Sequence, residues 1–394
     1  MKKKFSYICI FLLWIFVILP LWSEQLGSTT YGYSLDLPEG FVLVDSSGDG
    51  KGYQFQNIIY PVDILIKIYD TNTFDSATAA LNSTLIKLSA KAEVSQVDWR
   101  NTDCIIAQFS MSLNGKNNEG WGVCAALPEK KGYFLMLSYA ESNNNQENST
   151  FSAVEPIILS AIDSLYIDRG SFYSAGPVTT FAFPESEEQS ITLNIAGKEI
   201  PTVIYKEDAI ANEFVIEREF YVLKLFADTE LWVQAWQRYY RQIYRDAYHR
   251  LKRPAFDIYA ALYRSDTLER SKKEPAEITK ELLNWVQSFE YQRDTSNSDF
   301  VSLPAVLSGE SGSDCDSRSM LLAILLRQMN IETVIFVSPI YSHAMLGVNL
   351  NLPGAKIQVD GTEFLLGETT DSVELGLVAK EMSVTENWLP IVFP

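Results

Sequence analysis

Cys315 lies where a run of small, turn-forming residues gives way to an apolar pattern. Residues 308–314 read SGESGSD. Apolar residues then recur at helical spacing at Met320, Leu321, Ile324, Leu325 and Met329. This pattern predicts that Cys315 begins a buried helix. Exposed N–H groups at a helix start favour negative charge, so we expect a lowered thiol pKa and stabilisation of an oxyanion in acyl transfer.

His343 is the second residue that could carry chemistry. It opens the predicted strand HAMLGVNL, after the strand ETVIFV. A histidine there can point at the helix start, take the thiol proton and return it to a leaving group. A third group must orient the imidazole, and Asp360 and Glu368 are the candidates. We prefer Glu368, because its strand is expected to lie beside the His343 strand, whereas Asp360 lies in a V-D-G-T turn.

Each of these residues alone would more often be structural. A solitary core histidine near an unrelated buried cysteine is therefore the competing interpretation. The combination of a small-residue turn, a cysteine at a helix start and a histidine at a strand start is more informative than either residue alone. No second cysteine lies near Cys315 in the sequence, which argues against a redox disulfide there.

Three segments together resemble the core of the transglutaminase-like superfamily of papain-like cysteine enzymes. They are GSDCDSRSMLLAILLRQMNIETVIF, SHAMLGVNL and EFLLGETT, within residues 275–372. The resemblance implies Cys315 as nucleophile, His343 as base and Glu368 as acid. WVQSFEY resembles the helix end that precedes the nucleophile in bacterial members, which implies Gln287 as a side-chain donor to the oxyanion.

The resemblance implies a cysteine peptidase or amidase, or a protein transglutaminase, acting through a thioester. The substrate would be a protein or peptide, attacked at a peptide bond or a glutamine side chain, with no metal or organic cofactor. The chain departs from the family pattern at Ser313, Glu368 and Met345, where glycine, aspartate and an aromatic residue are usual. These departures keep open a non-catalytic envelope binding or scaffold protein with a degenerate domain.

The first residues predict export. Three lysines precede 18 uncharged residues, from Phe5 to Trp22, and then Ser23-Glu24. This is typical of a signal peptide over residues 1–23. The alternative is an uncleaved anchor with membrane association through residues 5–22, because about 20 apolar residues span a bilayer. Either interpretation places the remainder outside the cytoplasm, in the periplasm or secreted.

Charge and cysteine content narrow the function further. The net charge of −18 argues against nucleic-acid binding, which needs cations to replace counterions. With only two histidines, a histidine-based metal site is not expected. Cys104 and Cys124 lie on neighbouring apolar runs, and either a disulfide or two separately buried thiols fits the sequence.

The chain divides into three units with an α+β fold. Residues 24–168 predict an antiparallel sheet with helices, and YGYSLDLPEGFVLVD resembles secreted PsbP/Mog1-like domains, which implies an accessory module. Residues 169–253 predict a connector, with strands around a glycine turn and an aromatic-rich helix capped by Asp228. We interpret its aromatic residues as packing, the alternative being a carbohydrate or peptide platform. Residues 254–394 form the catalytic domain, a helix on an antiparallel sheet.

Overall fold

The computed structural model describes residues 26–142, 150–263, 274–293, 298 and 300–394. The predicted signal or anchor segment, residues 1–23, lies outside the described residues. Within the described ranges, no helix is both long enough and apolar enough to cross a membrane.

Strands and helices both contribute to the fold. The strands are β1 (Leu26–Ser28), β2 (Tyr33–Leu35), β3 (Phe41–Ser46), β4 (Gly52–Asn57), β5 (Val62–Tyr69), β6 (Lys91–Trp99), β7 (Thr102–Leu113), β8 (Lys116–Ala126), β9 (Tyr133–Glu141), β10 (Leu165–Tyr166), β11 (Glu188–Ile195), β12 (Lys198–Tyr205), β13 (Thr333–Ser338), β14 (His343–Val348), β15 (Lys356–Val359), β16 (Thr362–Gly367) and β17 (Leu389–Ile391). The helices are α1 (Ala77–Lys87), α2 (Thr150–Asp163), α3 (Pro177–Ala182), α4 (Asp208–Phe226), α5 (Trp232–Arg250), α6 (Lys252–Tyr263), α7 (Pro275–Gln287), α8 (Leu303–Ser308) and α9 (Cys315–Gln328).

The N-terminal part is built on a seven-stranded antiparallel sheet in the order β3-β4-β5-β9-β8-β7-β6. In β5 the buried apolar residues Val62, Ile64, Ile66 and Ile68 alternate with partly buried residues, so this strand turns its apolar set to one face of the sheet. Helix α1 covers one face and helix α2 covers the other, each with its own apolar core. The prediction of helices packed on an antiparallel sheet is confirmed, and the fold class is α+β.

The pairing of β7 with β8 decides between the two interpretations of Cys104 and Cys124. Cys104 lies opposite Ala125, and Cys124 lies opposite Ile105. Because neighbouring residues of a strand point to opposite faces, the two thiols lie on different faces of the sheet. Cys104 packs in the core under α2 and Cys124 in the core under α1. Both are free, separately buried thiols, and no disulfide joins them.

The C-terminal part is a five-stranded antiparallel sheet in the order β15-β16-β14-β13-β17. Helix α9 packs on β13 and β14 and is enclosed on its other sides by α5, α6, α7 and α8. Its residues Met320–Leu326 are fully buried, as expected for a helix that is apolar all round. The core therefore fixes the position of the first residue of α9 relative to the start of β14.

Residues 188–263 fold as a hairpin followed by three helices. The predicted strands form β11 and β12 around Ala196-Gly197, which both have positive φ. EREFYVLKLF, for which the sequence left helix and strand open, belongs to α4. The predicted cap at Asp228 is wrong, because α4 continues to Phe226 and Asp228 lies in the short turn between the helices. Leu231 occupies the position before α5.

Buried arginines of α5 hold this helix against the N-terminal part. Arg238 is 2% exposed and donates to the Asp36 carbonyl at 2.8 Å, to Glu219 at 2.6 Å and to the Ser160 hydroxyl at 2.8 Å. Arg241 forms a two-point ion pair with the Asp36 carboxylate. Arg245 donates to the carbonyl oxygens of Asp163, Leu165, Ser171 and Ser174.

We expect Arg238→Ala to lower the free energy of unfolding by about 3–5 kcal/mol, because it removes one partner of a buried ion pair and leaves buried acceptors unsatisfied. Urea unfolding followed by circular dichroism would measure the loss. Arg253→Ala is the matched control, since Arg253 pairs with Asp257 but is 64% exposed, and it should cost no more than about 1 kcal/mol. Equal small losses in the two variants would contradict the role given to Arg238.

The carboxyl group of Glu39 lies beside this arginine cluster. Burial raises the pKa of Glu39 to about 7, with a further increase from Asp36 that Arg238 and Arg241 oppose. One carboxylate oxygen of Glu39 has no hydrogen-bond partner among the described residues. The Glu39 carboxyl group thus loses its proton near pH 4.5 in the unfolded chain but only near pH 7 in the folded chain. Since the folded state binds more protons in this window, stability falls as pH rises through it.

We predict that Glu39→Gln removes this pH-dependent loss. At pH 8 the variant should be more stable than the wild type by up to about 3 kcal/mol, since one pKa unit corresponds to about 1.36 kcal/mol. At pH 4 the two proteins should be similar. Urea unfolding at both pH values measures the difference, and the exposed Glu129→Gln serves as control. A gain of the same size at pH 4 and pH 8 would refute the assigned titration.

Candidate active site

Cys315 is the first residue of α9, as the sequence predicts. Asp314 caps the helix, and its carboxylate accepts from the Ser317 N–H at 2.9 Å and from the Ser317 hydroxyl at 2.5 Å. Cys315 is 2% exposed, and its Sγ accepts the backbone N–H of Ala344 on the adjacent strand β14. The start of α9 and the start of β14 are thus in direct contact.

The pKa of the Cys315 thiol is shifted in the direction opposite to the one expected. Burial raises the pKa of Cys315, the carboxylates of Asp316 and Asp314 raise it further, and the Ala344 N–H only partly compensates. The Cys315 thiol donates to Asp316 Oδ2 at 3.3 Å. The prediction that the helix start lowers the thiol pKa is therefore wrong, because burial and two adjacent acids outweigh the helix terminus. These effects favour the neutral form of the Cys315 thiol.

His343 and Glu368 form a close pair. His343 Nε2 lies 2.7 Å from Glu368 Oε2, and both side chains are largely buried. Glu368 Oε1 accepts from the backbone N–H and the hydroxyl of Thr370, each at 2.7 Å. Burial opposes ionisation of Glu368, but the bonds from His343 and Thr370 outweigh it and lower the pKa of Glu368 to about 2. The carboxylate is ionised at neutral pH and holds the imidazole through Nε2, which leaves Nδ1 for proton transfer.

Strand pairing explains why these two residues meet. Strands β14 and β16 are antiparallel neighbours, with Leu346 opposite Gly367. This register places Glu368, the residue after β16, diagonally across from His343, within reach of a long side chain. Ser342, which immediately precedes His343, has φ of 48°. A non-glycine residue in this region carries local strain of a kind that is frequent at functional sites.

Asp360 is not part of this site. It lies with Gly361 in the turn between β15 and β16, where both residues have positive φ, and it is exposed. It borders a separate cavity lined by Arg327 and Phe364. The structure therefore places Glu368 and not Asp360 beside the imidazole.

Gln287 supports the site in a different way from the one expected. Its Nε2 donates to the carbonyl oxygens of Glu368 at 2.8 Å and of Val373 at 2.9 Å. Both amide hydrogens are thus used to hold the loop that carries Glu368. With both hydrogens used, the Gln287 amide has no donor left for an oxyanion at Cys315. The backbone N–H groups of the first turn of α9 are the neighbours of Cys315 in sequence that could serve instead.

Three residues of the site were not identified from the sequence. Asp316 accepts hydrogen bonds from the Cys315 thiol and from the hydroxyl of Tyr240, which is 2% exposed. Arg318 is 1% exposed and donates to the Ser313 hydroxyl and to the carbonyl oxygens of Phe289 and Thr369. Arg318 thereby joins the loops that carry the nucleophile and the acid. Asp316 was visible as the neighbour of Cys315, but nothing in the sequence links Tyr240 to it.

Asp314, Cys315 and Asp316 have ligand atoms within 4.8 Å of one another. One Asp314 oxygen already caps α9, and one Asp316 oxygen already accepts from Tyr240. Those bonds account for the orientation of the two acids without an ion. The other histidine of the chain, His249, pairs with Glu185 at 3.2 Å on the surface.

No protein-family model and no curated protein matches the sequence. Among solved structures, a point mutant of protein Mog1 is 10% identical with a TM-score of 0.30, covering 37% of this chain and 97% of that chain. The Ran-binding protein Mog1p of Saccharomyces cerevisiae is 9% identical with a TM-score of 0.30, covering 36% and 94%. A putative protease from Parabacteroides distasonis is 10% identical with a TM-score of 0.22, covering 83% and 69%. The Mog1 structures are thus weak structural neighbours of an N-terminal part of this chain.

We predict slow alkylation of wild-type Cys315 by iodoacetamide at pH 7.5, and alkylation that is about tenfold faster in Asp316→Asn. The substitution removes a charge that raises the thiol pKa, and one pKa unit changes the thiolate population about tenfold. Mass spectrometry distinguishes Cys315 from Cys104 and Cys124. Asp371→Asn, which neutralises an exposed acid on the loop after Glu368, is the control and should match the wild type. Equal rates in all three proteins would exclude Asp316 as a determinant of thiol reactivity.

Proposed function

We propose that this protein is a thiol-dependent acyl-transfer enzyme with a transglutaminase-like catalytic domain, which hydrolyses an amide or peptide bond of a protein or peptide substrate. The supporting observation is the pair of His343 and Glu368 at 2.7 Å, on strands next to the helix that begins at Cys315. An ionised acid, an oriented imidazole and a thiol in this order match the requirements of covalent catalysis by cysteine.

In the proposed reaction, Cys315 Sγ attacks the amide carbonyl carbon and its proton passes to His343 Nδ1. The resulting imidazolium is stabilised by Glu368 through Nε2. The imidazolium then protonates the leaving nitrogen, the C–N bond breaks and a thioester remains. Water, deprotonated by His343, attacks the thioester, and the carboxylic acid product and the free thiol are released.

The neutral resting thiol determines the order of these events. Since burial and the carboxylates of Asp314 and Asp316 raise the pKa of Cys315, a preformed thiolate is disfavoured. Removal of the thiol proton by His343 must therefore accompany formation of the C–S bond. The first N–H groups of α9, from Cys315 and Asp316, have no acceptor within the helix and can donate to the oxyanion.

The same thioester could be resolved by an amine instead of water. A lysine side chain would then give a protein cross-link, the reaction of a transglutaminase. The residues described here act up to the thioester and are common to both outcomes. We propose hydrolysis as the principal reaction and an exported location, as the first residues of the chain predict.

A non-catalytic envelope binding or scaffold protein is the second candidate. Two observations favour it: Cys315 is only 2% exposed, and its thiol donates to Asp316. In this alternative the His343–Glu368 pair would only hold together the ends of the inner strands β14 and β16. Covalent trapping of Cys315 separates the two candidates.

We predict that an electrophilic acyl-type probe labels Cys315 of the native protein and that His343→Ala lowers the labelling rate by about 10²–10⁴-fold, the usual contribution of a general base. Cys315→Ala should abolish labelling at this position. His249→Ala, which removes the other histidine at a surface pair, is the matched control and should leave the rate unchanged. Equal labelling of His343→Ala and wild type, or labelling only after denaturation, would favour the scaffold candidate.

A further inference from the structure

A cleft of about 420 Å³ opens beside His343 and Asp316. It lies between the helices α4 and α5 on one side and the residues that precede β14 on the other. Its apolar walls are formed by Phe220, Leu223, Trp236, Tyr239, Tyr240 and Phe300. The aromatic residues of α5 therefore do more than pack: some of them also line a cavity that reaches the candidate catalytic base.

Besides the tyrosine hydroxyl groups, the polar groups of the cleft belong to Arg293, Asp316, Ser338, Ser342 and His343. Asp316 accepts hydrogen bonds from Tyr240 and from Cys315, so its carboxylate oxygens already have donors. The hydroxyl of Tyr239 is bonded to Ser298 at 2.7 Å. Because the walls of the cleft are largely apolar or aromatic, a charged side chain would lose hydration in the cleft, whereas a neutral apolar side chain would gain from burial there. The walls thus favour an uncharged occupant that buries apolar surface.

The cleft is large enough to hold a side chain much larger than a methyl group. Clefts of about 300–1,000 Å³ are typical of sites that enclose a small organic ligand, and aromatic and apolar linings are usual in them. The rings of the cleft meet at an edge-to-face angle: Tyr239 and Tyr240 lie at 90°, and Phe300 lies at 73° to Tyr240. An aromatic ring inserted between such walls gains both buried area and favourable ring contacts.

The cleft adjoins the residues of the proposed reaction. His343 and Asp316 contact the Glu368 carboxylate and the Cys315 thiol, respectively, and both also line the cleft. A substrate whose amide lies against Cys315 would place the side chain of an adjacent residue in the cleft. The walls from α4 and α5 lie outside residues 275–372, which carry the transglutaminase-like resemblance.

We propose that this cleft is a substrate subsite, which rests on the function proposed above, and that it selects peptides with a large neutral side chain, aromatic or branched aliphatic, next to the attacked amide. Trp236, Phe220 and Leu223 are its specificity-determining residues. The subsite would be a property of this chain and not of the superfamily core, because helices of the connector supply its walls.

Peptidyl chloromethyl ketones with Phe, Leu, Lys or Gly next to the ketone test the subsite on the full-length protein. In these probes the Cys315 sulfur forms a bond to the methylene carbon and chloride leaves. We expect the Phe and Leu probes to label Cys315 at least about tenfold faster than the Gly and Lys probes, a discrimination usual for an apolar pocket. Mass spectrometry of the labelled peptide measures each rate.

Two variants change the size of the cleft in opposite senses. Trp236→Ala enlarges it and should reduce the preference for Phe over Gly by about tenfold, while Leu223→Trp fills it and should abolish labelling by the Phe probe but not by the Gly probe. Phe256→Ala, a ring on α6 that is 65% exposed, is the control and should keep the wild-type preference. Circular dichroism checks that each variant is folded, and Leu223→Trp decides the question if Trp236→Ala does not fold.

The outcomes separate the subsite from the function on which it rests. If no probe labels native Cys315, the acyl-transfer function fails. If all four probes label Cys315 at similar rates, in the wild type and in both variants, the function stands and the subsite is overturned. If the Lys probe reacts fastest, the cleft selects a cation and the proposed class of substrate is wrong.

Discussion

The buried guanidinium groups of helix α5 are the interaction on which the arrangement of this protein depends. Arg238, Arg241 and Arg245 recur at a spacing of three and four residues, so they form one face of the helix. An arginine side chain carries five donors in a plane and can satisfy acceptors from several segments at once. Here the acceptors come from Asp36, Asp163 and other residues of the N-terminal part. Separating the two parts would leave buried cations without partners, a cost of several kcal/mol.

Another face of α5 packs in the core of the C-terminal part. Tyr240 and Tyr244 are buried in the same core as α9, and Tyr244 stacks on Phe393 with ring centroids 4.1 Å apart. Tyr240 extends further and donates to Asp316, beside the thiol. One helix therefore contacts the N-terminal part on one side and the surroundings of Cys315 on the other. The segment between the two sheets is consequently a structural element of the site, whereas the sequence suggested only a connector.

Features set by local patterns could be predicted, and features set by long-range contacts could not. The turn before Cys315, the helix after it and the strands of His343 and Glu368 follow from small-residue runs and apolar periodicity. Those patterns also select Glu368 over Asp360, because a turn residue faces away from the neighbouring strand. The bond between Tyr240 and Asp316 joins residues 76 positions apart, and no pattern of either segment indicates it. The opposite faces of Cys104 and Cys124 follow from the register of β7 and β8, which the two-residue Asn114-Gly115 turn sets, so the signal for it was present in the sequence.

The wrong prediction of a lowered thiol pKa is explained by the magnitudes of the competing effects. A helix terminus stabilises an adjacent anion by about 0.3–1 kcal/mol, or about 2 kcal/mol in favourable cases, which is little more than one pKa unit. Burial alone can move a pKa by about 3–5 units in the opposite direction, and two carboxylates beside the sulfur add to it. Helix position by itself is therefore a poor guide to the reactivity of a cysteine that is also buried. In the proposed reaction, the imidazole of His343, held by the ionised Glu368, would therefore contribute more to activating this thiol than the helix terminus would.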